Sequence, residues 1–97
     1  MKELSTEFNG VGEVRGFIFK QLEFNGIVYM YEVKNIETGG VHYEVFERVV
    51  NESFGCVSYP RSKSFGVWAW CIHDYEKAKR KFNETTKKVE NRMENRK

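Results

Sequence analysis

Nothing in this chain stays apolar for long. The longest uninterrupted stretch, Val67–Ile72, falls far short of the roughly 20 residues a membrane-spanning helix needs. The opening "MKELSTEFNGVGEV" has no apolar core of the kind a secretory signal carries. Cysteine is scarce: Cys56 and Cys71 are too few for a disulfide scaffold, and they read as reduced thiols in a cytoplasm. With two histidines, and no Cys-x2-Cys or His-x3-His spacing, the usual zinc patterns are excluded. The eight glycines form neither G-x-G-x-x-G nor G-x4-G-K-[ST], so no phosphate cradle is visible. No cofactor, metal or membrane is therefore expected. Catalytic groups are equally thin. Cys71-x-His73 before Asp74 has the residue types of a thiol nucleophile and its base, but no oxyanion loop accompanies it, and Cys71 reads as a small buried hydrophobe. The expectation is a protein that is not an enzyme.

What the chain does hold is rings. Eight Phe, five Tyr and two Trp make up 15% of the 97 residues, and 40% of the chain is hydrophobic, too rich for disorder. Each large ring buries about 150–250 Å², so a handful can close the core of one small domain. Charge is split along the chain. Residues 1–73 carry seven Lys/Arg against nine Asp/Glu, whereas residues 74–97 carry nine against five. A slightly acidic body precedes a basic tail.

The first twelve residues are polar and broken by Gly10 and Gly12, which predicts a flexible N-terminal arm before a single domain over 13–97. "RGFIFKQLEF" and "IVYMYEVKN" flank Asn25-Gly26, a pair suited to a two-residue type I′ hairpin turn. That turn sets Phe24 against Ile27, Leu22 against Tyr29, Lys20 against Tyr31 and Ile18 against Val33, all on one side of the sheet. Strands are predicted over about 15–24, 27–35, 41–50, 56–59 and 67–72. Val41, Tyr43, Val45 and Val49 extend the same core face. Val67–Ile72, apolar on both sides, has the pattern of a central or doubly covered strand. From Asp74, a suitable N-cap, the period changes. Tyr75, Ala78, Phe82, Thr86, Val89 and Met93 form one stripe of a helix over about 74–93. The expected fold is α+β: an antiparallel meander of four to five strands with one C-terminal amphipathic helix on one face, lying against Val67, Ala69 and Cys71.

One helix covers one face. The other, with Phe17, Phe19, Phe46, Trp68 and Trp70, is left as an aromatic patch. It is either an interface or a surface over which the arm folds with Leu4, Phe8 and Val11. As an interface, it predicts a small binding or regulatory protein acting by protein–protein interaction, on a partner it adapts or inhibits or on a second copy of itself. The alternative is a nucleic-acid-binding protein that uses Lys77, Arg80, Lys81 and Lys88 of the helix with the Arg61/Lys63 loop after Pro60. Glu76–Arg80 and Glu84–Lys88 stand at i,i+4, where ion pairs would make this an ordinary solvated face. Lys77–Lys81 is a like-charge pair that helix stability does not favour.

Arg15-Gly16-Phe17-x-Phe19 resembles the RNP1 motif of RNA-recognition domains over about five residues, departing from it at Ile18 and Lys20 and in having no preceding helix. In outline, a hairpin, further strands and an "EKAKRKF" helix look like the WGR domain of DNA-repair proteins. The Trp-Gly-Arg tripeptide is missing, with Trp68 and Trp70 standing in "VWAW" instead. Neither likeness assigns a family.

Overall fold

Strand β3 (Val28–Asn35) is apolar on both faces, and the fold is built around it. Val28, Tyr29, Met30 and Tyr31 are shut from solvent, and Val33 nearly so. Such burial belongs to a strand paired on both edges and covered above and below. β2 (Phe17–Phe24) and β4 (Val41–Glu47) are its neighbours, while β1 (Glu7–Asn9) and β7 (Ala69–Ile72) form the edges of an antiparallel sheet ordered β1-β2-β3-β4-β7. Between β4 and β7, the strands β5 (Val50–Asn51) and β6 (Cys56–Val57) make a separate two-stranded ribbon. The chain ends in helix α1 (Tyr75–Glu94), whose first turn is capped by the Asp74 carboxylate accepting from the Lys77 N–H at 3.0 Å. The computed structural model describes residues 2–95; Met1 of the expected arm and Arg96 and Lys97 of the expected domain lie outside them. The α+β class and the terminal helix packed on the sheet stand as predicted.

The helix covers Leu22 of β2 and Tyr43 and Val45 of β4 as expected, but on β3 and β7 it lies on the side opposite to the expected one. Ala78 and Phe82 are buried against Val28, Met30 and Val45, with Leu22, Ile27, Tyr43, Ile72 and Val89 around them. The reason lies in the first hairpin. Gly26 has φ 95°, but among the described residues no other residue type takes positive φ, so Asn25-Gly26 is not a type I′ turn. The Asn25 side chain instead accepts from the N–H groups of Ile27 and Val28, at 3.1 and 3.0 Å, and Phe24 pairs with Tyr29. A β-bulge at Leu22 then moves the register by one residue, so that Gln21 faces Tyr31 and Phe19 faces Val33. Since strand side chains alternate, that one step turns Phe17 and Phe19 to the side of Tyr29, Tyr31 and Val33, and leaves Leu22 beneath the helix. Across the next pair Tyr29 meets Phe46 and Met30 meets Val45. β7 follows suit, with Trp70 opposite Val45 and Ile72 opposite Tyr43. Trp70 and Ile72 therefore face α1, and Ala69 and Cys71 face away. β7 is also an edge strand, with Val67 and Cys71 exposed, not the doubly covered strand its composition predicts.

The aromatic face is covered by the chain itself. Phe19, Tyr29, Tyr31, Val33, Phe46, Val57 and Ala69 form a second core, closed by Leu4, Phe8, Val14, Tyr59 and Phe65. The N-terminal segment, expected as a loose arm, is thus the lid of this layer. β1 adds to β2, and Phe8 stacks flat on Phe19 with ring centroids 4.7 Å apart. The Glu3 carboxylate accepts from Arg48 Nε and Nη2 at 2.9 and 2.7 Å and also from the Tyr29 hydroxyl. The Tyr31 hydroxyl donates to the Ser5 carbonyl at 2.6 Å. Buried phenols need such partners, and the arm's polar atoms supply them. Gly10 passes so close to the following turn that a Cβ there would stand 2.1 Å from the Val14 carbonyl oxygen. Val11, counted on as part of the cover, points outward and is exposed.

Candidate functional site

Of the residues expected to form one aromatic surface, Phe17, Phe19, Phe46 and Trp68 share the face away from α1, and Trp70 does not. Phe19 and Phe46 have no solvent exposure, and Phe17 and Trp68 are half-buried at the edge of their cluster. Trp70 is across the sheet, beneath α1. The basic residues are divided as well. Arg61 and Lys63 are exposed on a loop whose Tyr59 and Phe65 pack on the aromatic face. Lys77, Arg80, Lys81 and Lys88 ride on α1, on the opposite face.

Two places gather chemistry. The first lies on the aromatic side, where β4 meets β7. Glu44, only 5% exposed, accepts from the Tyr59 hydroxyl and lies 3.1 Å from His42 Nε2. Cys71 is directly opposite Glu44 in the sheet register, and the His42 and His73 rings have centroids 5.9 Å apart. Burial first, then the Glu44 charge, push the Tyr59 phenol well above its ordinary 10. The same two causes raise the Cys71 thiol, the wrong direction for a thiolate nucleophile, although Cys71 itself reaches solvent. Among the described residues, no group of three His, Cys, Asp or Glu is placed to hold a metal ion. The cluster fastens the Tyr59 loop to the sheet.

The second place is the flank of α1 that overhangs the β7 edge. On a helix of 3.6 residues per turn, Lys77, Lys81, Glu84 and Lys88 fall on one side of the Ala78–Phe82–Thr85 seam. Lys77, Arg80, Lys81 and Glu84 border one shallow depression with Ile72, and Lys81, Glu84, Thr85 and Lys88 border a second with Trp70. Sharing Lys81 and Glu84, the two make one groove along the helix–strand seam. The Trp70 end has a volume of about 150 Å³, against roughly 300–1,000 Å³ for pockets that enclose a small molecule. It suits one protruding group of a longer ligand. The Lys81 ammonium sits over the Trp70 ring, 4.3 Å from its centroid.

Charge on this flank is left uncompensated. The helix's cations that reach the sheet are paired, Lys79 with Glu23 and Arg92 with Glu47. Among the described residues, Lys77, Arg80, Lys81, Lys87 and Lys88 join no ion pair, and neither Glu76–Arg80 nor Glu84–Lys88 closes one. Two residues of the groove escape sequence reading. Alternation cannot place Trp70, because both sides of "VWAWCI" are apolar. The stripe picks Thr86 as the inward threonine, yet Thr85 is 2% exposed and Thr86 half-buried.

Among the described residues no helix is long and apolar enough to cross a membrane. No protein-family model, curated protein or solved structure matches the chain, so the functional reading rests on these side chains.

Proposed function

We propose that this is a non-enzymatic, cytoplasmic nucleic-acid-binding protein whose contact surface is the flank of α1 over the β7 edge. The observation that carries the reading is the contrast in pairing: α1 neutralises Lys79 and Arg92 against the sheet but leaves Lys77, Arg80, Lys81 and Lys88 free on one exposed seam. Lys77 and Lys81 are about 6 Å apart along the axis, and Lys88 about 10 Å further, at roughly 1.5 Å per residue. Cations in such a row beside an aromatic ring suit a phosphate backbone with bases attached. Glu84 is the one acid on the rim, and the balance stays positive. Cys56 and Cys71, both unpaired, support the cytoplasmic setting. Arg61 and Lys63, across the sheet, are left out of the contact. The protein-partner or homodimer reading is less favoured, because Phe19 and Phe46 of its surface are fully buried in the cluster that the chain's own arm helps to close.

Fluorescence anisotropy with labelled single- and double-stranded oligomers, at low and then rising salt, tests this. Binding should weaken steeply with salt, and Lys77→Ala or Lys88→Ala should each lower the log–log salt slope by about one. No binding to either oligomer at low ionic strength overturns the proposal. So does an unchanged slope in both variants.

A further inference from the structure

We infer that the Trp70–Thr85 end of the groove is a single-strand subsite, in which a base stacks on Trp70 while its neighbouring phosphate accepts from the Thr85 hydroxyl. This rests on the nucleic-acid reading above and deepens it. Two observations, independent of the lysines, point to the notch. The first is Trp70 itself. It packs into neither of the two apolar cores, and among the described residues it makes no aromatic pair. What covers it is an ammonium group, Lys81 Nζ. A tryptophan that the core does not use, covered by a lysine ammonium, presents a face that a nucleobase can take. The displaced ammonium would then be free to meet a phosphate.

The second observation is the Thr85 hydroxyl. Its Oγ1 is buried and has no hydrogen-bond partner. Its neighbour Thr86 shows what a satisfied helical threonine does: its hydroxyl donates to the Phe82 carbonyl at 2.7 Å and accepts from Asn25 Nδ2 at 2.8 Å. A buried orphan hydroxyl is a standing cost that valine, of the same shape, would avoid. Thr85 lines the notch together with Trp70, and Lys81 and Lys88 stand one turn to either side of it. A phosphate oxygen there would receive the missing hydrogen bond and two positive charges. Bases inside a duplex are stacked on one another and cannot reach Trp70, so the geometry selects an unpaired strand.

The discriminating variant is Thr85→Val, read twice. Anisotropy with a labelled oligothymidine should show affinity reduced roughly tenfold. Thermal unfolding of the same variant should show a midpoint equal to or above that of the parent. A hydroxyl with a purely structural role would lower the midpoint instead. Trp70→Ala should weaken single-strand binding by about 5- to 150-fold, and Trp70→Phe should keep most of it. An oligomer carrying abasic sites needs no altered protein and should lose a similar factor against the parent. If oligomers bind but Thr85→Val, Trp70→Ala and abasic substitution all leave affinity unchanged, the subsite is wrong and the wider reading stands. Equal affinity for duplex and single strand, or equal binding of polyglutamate, also overturns the subsite. If no oligomer binds at all, both readings fall together.

Discussion

A carboxylate gripped by a guanidinium and a phenol loses that grip when protonated, and Glu3 is such a carboxylate. The hydrogen bonds from Arg48 and then Tyr29 hold its carboxyl down at about 2, against an ordinary 4.5. With the folded value depressed, the stabilisation is fully present above the ordinary value and is lost as pH falls toward 2. Tyr29 runs the opposite way. Burial, and Glu3 after it, raise its phenol from 10 to about 12, so its contribution is whole below 10 and fades as pH climbs between the two values. Urea midpoints of the parent and of Glu3→Gln, followed downward in pH, check the first statement. The parent's advantage should shrink as pH drops from about 4.5 to 2. A gap that ignores pH would mean the Glu3 contacts do not hold the arm.

At the scale of the element, α1 is fastened through few residues. Phe82 sits among Val28, Met30 and Val45, and it is the helix's one large fully engaged apolar side chain in that layer. Its truncation to alanine should cost about 3–5 kcal/mol, a large part of the roughly 5–15 kcal/mol expected of a whole domain. Lys81→Ala, which gives up a cation–π contact at the surface, should cost about 0.5–1 kcal/mol. Urea melts that rank the two equally would contradict the packing. The helix itself was legible in the sequence: its cap at Asp74 and its stripe around Ala78 and Phe82 are local signals. The sheet was legible as a set of strands, and in the faces of β2 and β4, but not in those of β3 and β7. β3 is apolar on both sides, so alternation could not tell Tyr29 and Tyr31 from Val28 and Met30. The deciding step, the bulge at Leu22, changes register without any marker residue. A single unread residue there put Tyr29, Tyr31 and Val33, rather than Val28 and Met30, on the side of Phe17 and Phe19, which themselves lie away from the helix as expected. β1 was illegible for another reason. "EFN" is too short to show a period, and its place depends on Phe19 and Tyr31 far along the chain. Likewise the lysines of the candidate site stand out in the sequence, whereas Trp70 and Thr85 gain meaning only from the face they occupy.

The whole molecule has three layers, with the sheet between α1 on one side and the arm and the Tyr59 loop on the other. Removing residues 1–10 should strip one cover from Phe19, Tyr31 and Phe46 while leaving α1 in place. Sedimentation of that truncated chain should show association rising with concentration, while the full chain stays monomeric. A truncated chain that is monomeric and fully folded would mean that the arm is dispensable cover.

The clasp of Glu3 on Arg48 and Tyr29 also carries a schedule. A ribosome delivers the arm before its partners, which are made dozens of residues later, and the helix that seals the opposite face is made after the sheet. Until then the central strands are hydrophobic on both sides with nothing laid over them. Such a chain cannot settle piece by piece from its beginning. It should close late and in one step, and while it waits it offers bare strands to any chaperone within reach.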